Sequence, residues 1–338
     1  ISSPTPLVIK DFTYDLNEPR QDVTHHLARV KGFKRFENFG KLSLQYDFQS
    51  NNRLEFDKRR GTDGDKASLD LQLKTHTLLF DLDSHLTDEI SLKTGIMARY
   101  QNNFANPNTG VRRLIPDYDK YDFGVYAVAD FRLNDQWLLE VGGRFDYTYM
   151  DVFKFYRTSF WESRNYDQLF SEIVLEELEN QILTNPQLNF YNPSVTIGAT
   201  YSFGEDYKLF FNYSLASRAP NPSELFSEGL HHSASRIELG DLGFQSEIGH
   251  KIFLTFQREN KIFSFSISPF LNSIKNFIII EPTGIQQTIR GNFQVWEYRQ
   301  SNAKLLGVDI DANYAFTKNF SYKSQFSLVK GYDLIRNE

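Results

Sequence analysis

The stretch Tyr207-Lys208-Leu209-Phe210-Phe211-Asn212-Tyr213-Ser214-Leu215, with the corner Ser217-Arg218-Ala219-Pro220-Asn221-Pro222 that follows it, decides how this chain is read. Tyr207, Leu209, Phe211, Tyr213 and Leu215 fall on one face, and Lys208, Asn212 and Ser214 fall on the other, with Phe210 the exception. A period of two marks a β-strand that meets an apolar medium on one side and a polar one on the other. The two prolines then withdraw backbone donors and end the ladder. Glu224-Leu225-Phe226, Gly229-Leu230-His231-His232-Ser233-Ala234 and Glu238-Leu239-Gly240-Asp241-Leu242-Gly243-Phe244 come next, before a new strand opens at Glu247.

The same alternation recurs on both sides of this stretch. Leu42, Leu44, Tyr46 and Phe48 alternate with Lys41, Ser43, Gln45 and Asp47; Trp137, Leu139, Val141, Gly143, Phe145, Tyr147 and Tyr149 alternate with Glu140, Arg144, Asp146 and Thr148. Val308, Ile310, Ala312, Tyr314 and Phe316 alternate with Asp309, Asp311 and Asn313. About twelve such runs are legible, each at or beyond the ~9–11 residues that cross a bilayer obliquely, whereas strands in soluble proteins average about 5–6. A slip of phase near Thr77-Leu78-Leu79 predicts a bulge, and Pro269 predicts a kink in the strand over 263–280.

Short polar turns at 87–89, 134–136, 204–206, 259–261 and 317–319 alternate with long connections, as in outer-membrane barrels with short inner turns and long outer loops. The long connections are a charged loop at 58–65, a loop near 102–120, an insertion at 157–189, the corner, and a loop at 281–293. Within the insertion, Leu169, Ile173, Leu178 and Ile182 recur at helical intervals opposite Glu172, Glu176, Glu177 and Glu179. This spacing predicts a short acidic amphipathic helix over 167–183.

Composition agrees with a barrel. The 338 residues include 31 Phe and 18 Tyr, yet only 40% are hydrophobic and mean hydropathy is −0.47. No run approaches the ~20 apolar residues of a spanning helix, a requirement that strands escape because only alternate residues face lipid. A formal net charge of −6 argues against nucleic acid as the main partner. With no cysteine, disulfides, zinc-thiolate sites and thiol nucleophiles are excluded together. No Gly-x-Ser-x-Gly elbow, His-Glu-x-x-His pair or phosphate loop is present, and the chain is read as a non-enzyme.

The segment from Arg218 to Glu247 resembles the region that marks TonB-dependent receptors of gram-negative outer membranes. Those barrels carry a Phe-Arg-Ala-Pro box, then Glu-Leu-Tyr/Phe, a loop often with histidine, and an Asn-Pro-Asn-Leu box. Here Ser217-Arg218-Ala219-Pro220 matches three of the four positions of the first box, Glu224-Leu225-Phe226 matches the next, and Asp241-Leu242-Gly243-Phe244 holds the place of the last. The resemblance implies a transmembrane antiparallel β-barrel, here about twelve of roughly 22 strands. The plug and closing strands are expected to lie outside this chain. It further implies energy-dependent uptake of a scarce metal complex, most directly a ferric siderophore, with TonB as energy-coupling partner. Haem, zinc or carbohydrate receptors of the same family and a passive porin or adhesin are the alternatives.

Five residues are candidates for cargo binding: His231, His232, Arg112, Arg113 and Tyr118. A neutral imidazole can ligate haem iron or a transition metal, and the alternation of an extended loop would point His231 and His232 apart. For each of the two, a solvated or turn-capping role is the stronger reading. Arginines fit an anionic chelate bidentately, or are solvated loop residues. Arg218, Ala219, Pro220, Glu224 and Glu247 are assigned to the corner itself, with Arg218 expected in a lumen salt bridge. Asp63 and Asp65 offer hard oxygens but lack the rest of a calcium loop.

Overall fold

The computed structural model describes residues 12, 14, 18–37, 39–57, 66–288 and 291–336. The charged loop at 58–65, with Asp63 and Asp65, lies outside them. The strands are β1 (Arg20–Phe36), β2 (Gly40–Phe56), β3 (Leu69–His85), β4 (Ile90–Ala105), β5 (Asp117–Arg132), β6 (Trp137–Arg157), β7 (Val174–Glu177), β8 (Gln181–Thr184), β9 (Gln187–Phe203), β10 (Tyr207–Arg218), β11 (Glu228–His231), β12 (Arg236–Leu239), β13 (Glu247–Arg258), β14 (Phe263–Thr288), β15 (Gly291–Thr317) and β16 (Phe320–Asp333). Three short helices accompany them: α1 (Thr158–Ser163), α2 (Tyr166–Leu169) and α3 (Pro222–Phe226).

Twelve of these sixteen strands are long, and each pairs antiparallel with its neighbour in the order β1 to β6, β9, β10, β13, β14, β15 and β16. The result is an open arc of barrel wall. The four short strands all belong to outer loops.

Register sets the two faces. Leu44, Phe80, Ile96, Val125 and Phe145 stand opposite one another across five strands, and all five are exposed. One residue along, Gln45, Leu79, Met97, Gly124 and Asp146 form a row on the concave side. Trp137, Val141 and Phe145 are 39%, 46% and 44% exposed, so no second layer covers them. The wall presents its apolar face outward, as lipid requires.

Aromatic belts bound that apolar face. Phe48, His76, Tyr100, Tyr121 and Tyr149 touch in sequence at ring separations of 5.0–6.2 Å, and their strands run on beyond this row toward the outer loops. Trp137, Tyr201, Phe203, Tyr207 and Phe256 form the inner belt at 4.6–6.2 Å. Twelve residue steps along β6 separate Trp137 from Tyr149. At ~3.3 Å per residue and a tilt near 45°, that is roughly 28 Å, close to the apolar height of such barrels.

Four expectations are corrected. The span 167–183 is not one amphipathic helix: α2 covers only its first residues, a single 3-10 turn follows at Ser171–Ile173, and β7–β8 form a hairpin closed by the Leu178 N–H donating to the Gln181 carbonyl at 2.8 Å. β8 pairs with the free outer edge of β6 (Gln181 with Arg157 through Thr184 with Lys154), so unpaired backbone groups there recruit a strand. Glu172, Glu176, Glu177 and Glu179 still face water. No bulge interrupts β3, because Leu79 simply turns into the concave side opposite Met97. Pro269 lies in register with Val308, and the irregularity falls instead at Asn276, whose φ of 57° breaks the ladder between Ile274 and Phe277. Lastly, 281–293 is not a loop: β14 and β15 continue as an outer hairpin to Thr288 and Gly291.

Candidate functional site at the outer vestibule

Beyond the outer belt the long loops fold together into a crown. The corner begins where Pro220 and Pro222 end β10 and start α3. Arg218 donates to both oxygens of Glu224 at 2.9 and 3.1 Å and to Glu247 Oε2 at 3.1 Å. Glu224 Oε2 also accepts the Asn221 N–H at 2.7 Å, and Glu247 Oε2 accepts the Ile278 N–H at 3.0 Å. One guanidinium thus ties β10, α3 and β13 together, while β14 closes on the same carboxylate. Ala219 is partly buried and Pro220 is fully buried in this bend.

The turn sends Leu225 and Phe226 into an apolar core with Met150, Val152 and Tyr156 of β6 and Trp161 of α1. The Tyr166 hydroxyl donates to Asp241 at 2.8 Å and accepts the Leu242 N–H at 2.9 Å, pinning the two loops to each other. Gly240 has no room for a side chain: a Cβ would lie 2.6 Å from the Glu224 carbonyl oxygen and 2.8 Å from the Leu225 carbonyl carbon. Tyr118 is buried in the same core, and burial pushes its hydroxyl up to about 12. Its ring is packing, set within the wall of the vestibule.

The histidine loop is a hairpin, β11 and β12, and β12 pairs in parallel with β15 from Arg236 opposite Gln294 to Leu239 opposite Glu297. At its tip the two histidines diverge. His231 Nδ1 meets Glu238 at 2.8 Å and Nε2 meets Glu55 at 3.2 Å, with Arg53 Nη2 beside Nε2 at 2.5 Å. His232 is buried, with Nδ1 2.7 Å from Asp57. The neutral imidazole expected at His231 is corrected. Burial alone would lower its pKa, but hydrogen bonds to Glu238 and Glu55 outweigh that and raise it to about 9. Both ring nitrogens are engaged by Glu238, Glu55 and Arg53, and His231 is not among the walls of the cavity described below. Among the described residues no group of three or more His, Asp or Glu side chains is arranged to hold a metal ion.

The two arginines of the 106–116 loop separate. Arg113 pairs with Asp117 at 2.6 Å. Arg112 turns inward to Glu228, which is fully buried and also meets Arg157 at 2.9 Å and Lys154 at 3.4 Å. Lys154 donates to the Phe226 carbonyl at 2.8 Å, and burial lowers its pKa to about 8. Glu228, Lys154 and Arg157 were missed by motif reading. Lys154 alone carried a signal, since it shares the concave-side parity of Glu140, Gly142 and Arg144 on β6.

A cavity of about 300 Å³ opens where these pieces meet. Arg112, Arg157, Gly229, His232, Gln286 and Phe293 are among its walls. It therefore gathers His232 and Arg112, and leaves Arg113 and Tyr118 outside.

The chain matches the family model "TonB dependent receptor-like, beta-barrel" over residues 9–337. No curated protein matches it. Among solved structures it resembles the copper transporter OprC with TM-score 0.67 and 14% identity, covering 95% of this chain and 49% of that one. It resembles the FrpB iron transporter of Neisseria meningitidis at TM-score 0.62 and 18% identity, covering 94% and 46%. The Serratia marcescens hemophore receptor HasR, solved with its hemophore HasA and heme, gives TM-score 0.64 and 13% identity, covering 93% and 49%. The chain spans about half the length of these structures.

Proposed function

As the chain belongs to the TonB-dependent receptor β-barrel family, we propose that it forms wall and vestibule of an outer-membrane receptor that imports a scarce metal complex, with a ferric siderophore as cargo. The observation that carries this reading is the ordered crown. Loops from four hairpins converge on one cavity at the outer mouth of a wall that is apolar outside and polar inside. A passive pore gains nothing from such an enclosure, whereas a receptor needs a shaped, partly dry pocket to hold dilute cargo. Uptake against a gradient would draw on TonB, and the sheet edges at β1 and β16 would pair with further strands, since open edges do not face lipid.

Haem is a second reading, favoured by His232 in the cavity wall. The full-length receptor, expressed in a host stripped of its own receptors, should restore energy-dependent uptake of a labelled ferric siderophore. Growth on haem instead, abolished by His232→Ala, would select the second reading. Uptake that persists without the proton gradient would reject active import altogether.

A further inference from the structure

Charge around the cavity does not balance. Glu228 is surrounded by Arg112, Arg157 and Lys154 at 3.1, 2.9 and 3.4 Å, three cations for one carboxylate. Arg112 and Arg157 line the cavity, and among the described residues that line it none is acidic. Glu228 and Lys154 sit behind them, both almost completely buried. Arg112 and Arg157 are 28% and 35% exposed, so their guanidiniums reach the cavity while one buried carboxylate serves three cations, an arrangement that favours an anion arriving from solvent.

We propose that this cavity is an oxyanion subsite, taking a carboxylate or phosphate group through the Arg112 and Arg157 guanidiniums. Glu228 acts as an internal counter-ion that orients the two guanidiniums and sets how strongly they attract a guest. Planar guanidiniums suit such groups because they donate two parallel hydrogen bonds. At about 300 Å³ the space fits an anionic arm of a chelate better than a whole complex. The proposal deepens the receptor reading above and rests on it for the identity of the carrier.

The test is calorimetric titration of the full-length receptor in detergent with citrate, ferric citrate and inorganic phosphate. Binding of at least one is expected. Arg157→Gln should weaken it about tenfold, and Glu228→Gln should strengthen it, because removing the internal anion leaves three cations for the guest. A purely structural Glu228 would give weakening or no change. Should Glu228→Gln misfold, Arg157→Lys beside Arg157→Gln provides a second pair, the lysine recovering only part of the binding because an ammonium cannot donate two parallel hydrogen bonds. The ranking of ferric citrate against the free anions tells cargo arm from free ion. Anion binding indifferent to both arginines, or none at all, overturns the subsite. Metal-complex uptake that survives in Arg157→Gln with unchanged affinity would do so too, while leaving the receptor reading intact. Arginine-dependent anion binding without any uptake would do the reverse.

Discussion

The His231 imidazole lies 3.2 Å from the Glu55 carboxylate, joining the tip of the β11–β12 hairpin to the outer end of β2 across the mouth of the arc. Because β12 is also hydrogen-bonded to β15, the hairpin is a strap between two distant parts of the wall. Glu55 is fully buried and takes a second bond from the Ser233 N–H at 3.0 Å. Burial would raise its pKa, but His231 and Ser233 hold it down at about 2.

The strap should respond to pH with a definite sign. His231 sits at about 9, above its ordinary ~6.5, so its contribution is complete below ~6.5 and fades as pH rises through 9. Glu55 sits at about 2, below ~4.5, so its contribution is complete above ~4.5 and fades as pH falls toward 2. Glu238, on the same hairpin, supplies part of the His231 shift, so the contact across the mouth is worth roughly 1 kcal/mol after discounting for the part of the ring that stays wet. Hydrogen-exchange protection of residues 228–239, corrected for intrinsic rates, should peak between pH 4.5 and 6.5. Flat protection from pH 6 to 10 would contradict the strap.

Arg218→Ala should loosen the corner by roughly 1–3 kcal/mol, since two carboxylates lose their shared guanidinium. Arg218→Lys should recover only part of that, because an ammonium cannot match the forked geometry at Glu224. Protection of the Leu225 and Phe226 amides is the readout. Equal behaviour of both variants would show that charge alone holds the bend.

Trp161→Ala should remove a side chain that is 1% exposed from the crown's core, at about 3–5 kcal/mol. The loss should appear as proteolysis within 158–186. That core draws on β5, β6 and β14 only at residues beyond the outer aromatic belt, such as Tyr118, Val152 and Ile278, so the heat-resistant gel mobility of the folded barrel should not change.

Val141→Lys should hinder assembly into bilayers by about 2–4 kcal/mol, the cost of a charge near the middle of the lipid face. Thr196→Lys, one residue off in register and turned to the concave side opposite Gly142, should cost far less. The folded fraction recovered in vesicles compares the two directly. Similar losses would mean that the faces are assigned the wrong way round.

Much of the wall could be read from the chain alone. Tyr207 to Leu215 and Trp137 to Tyr149 carry their own period of two, and each side chain's face follows from its parity. The insertion misled because Leu169, Ile173, Leu178 and Ile182 fit a helix by spacing, while the outer edge of β6 offered backbone partners to a strand. Local periodicity cannot register a distant edge.

By itself, the order of residues determined which side chains meet lipid and which meet the lumen, because strand geometry is a property of neighbours along the chain. Only the tertiary structure decided that Arg112 would face Glu228 while Arg113 turned back to Asp117, and that His231 would become a cation between two carboxylates. Those outcomes depend on groups brought together from separate hairpins, where burial and charge are set by whatever else the folded loops enclose.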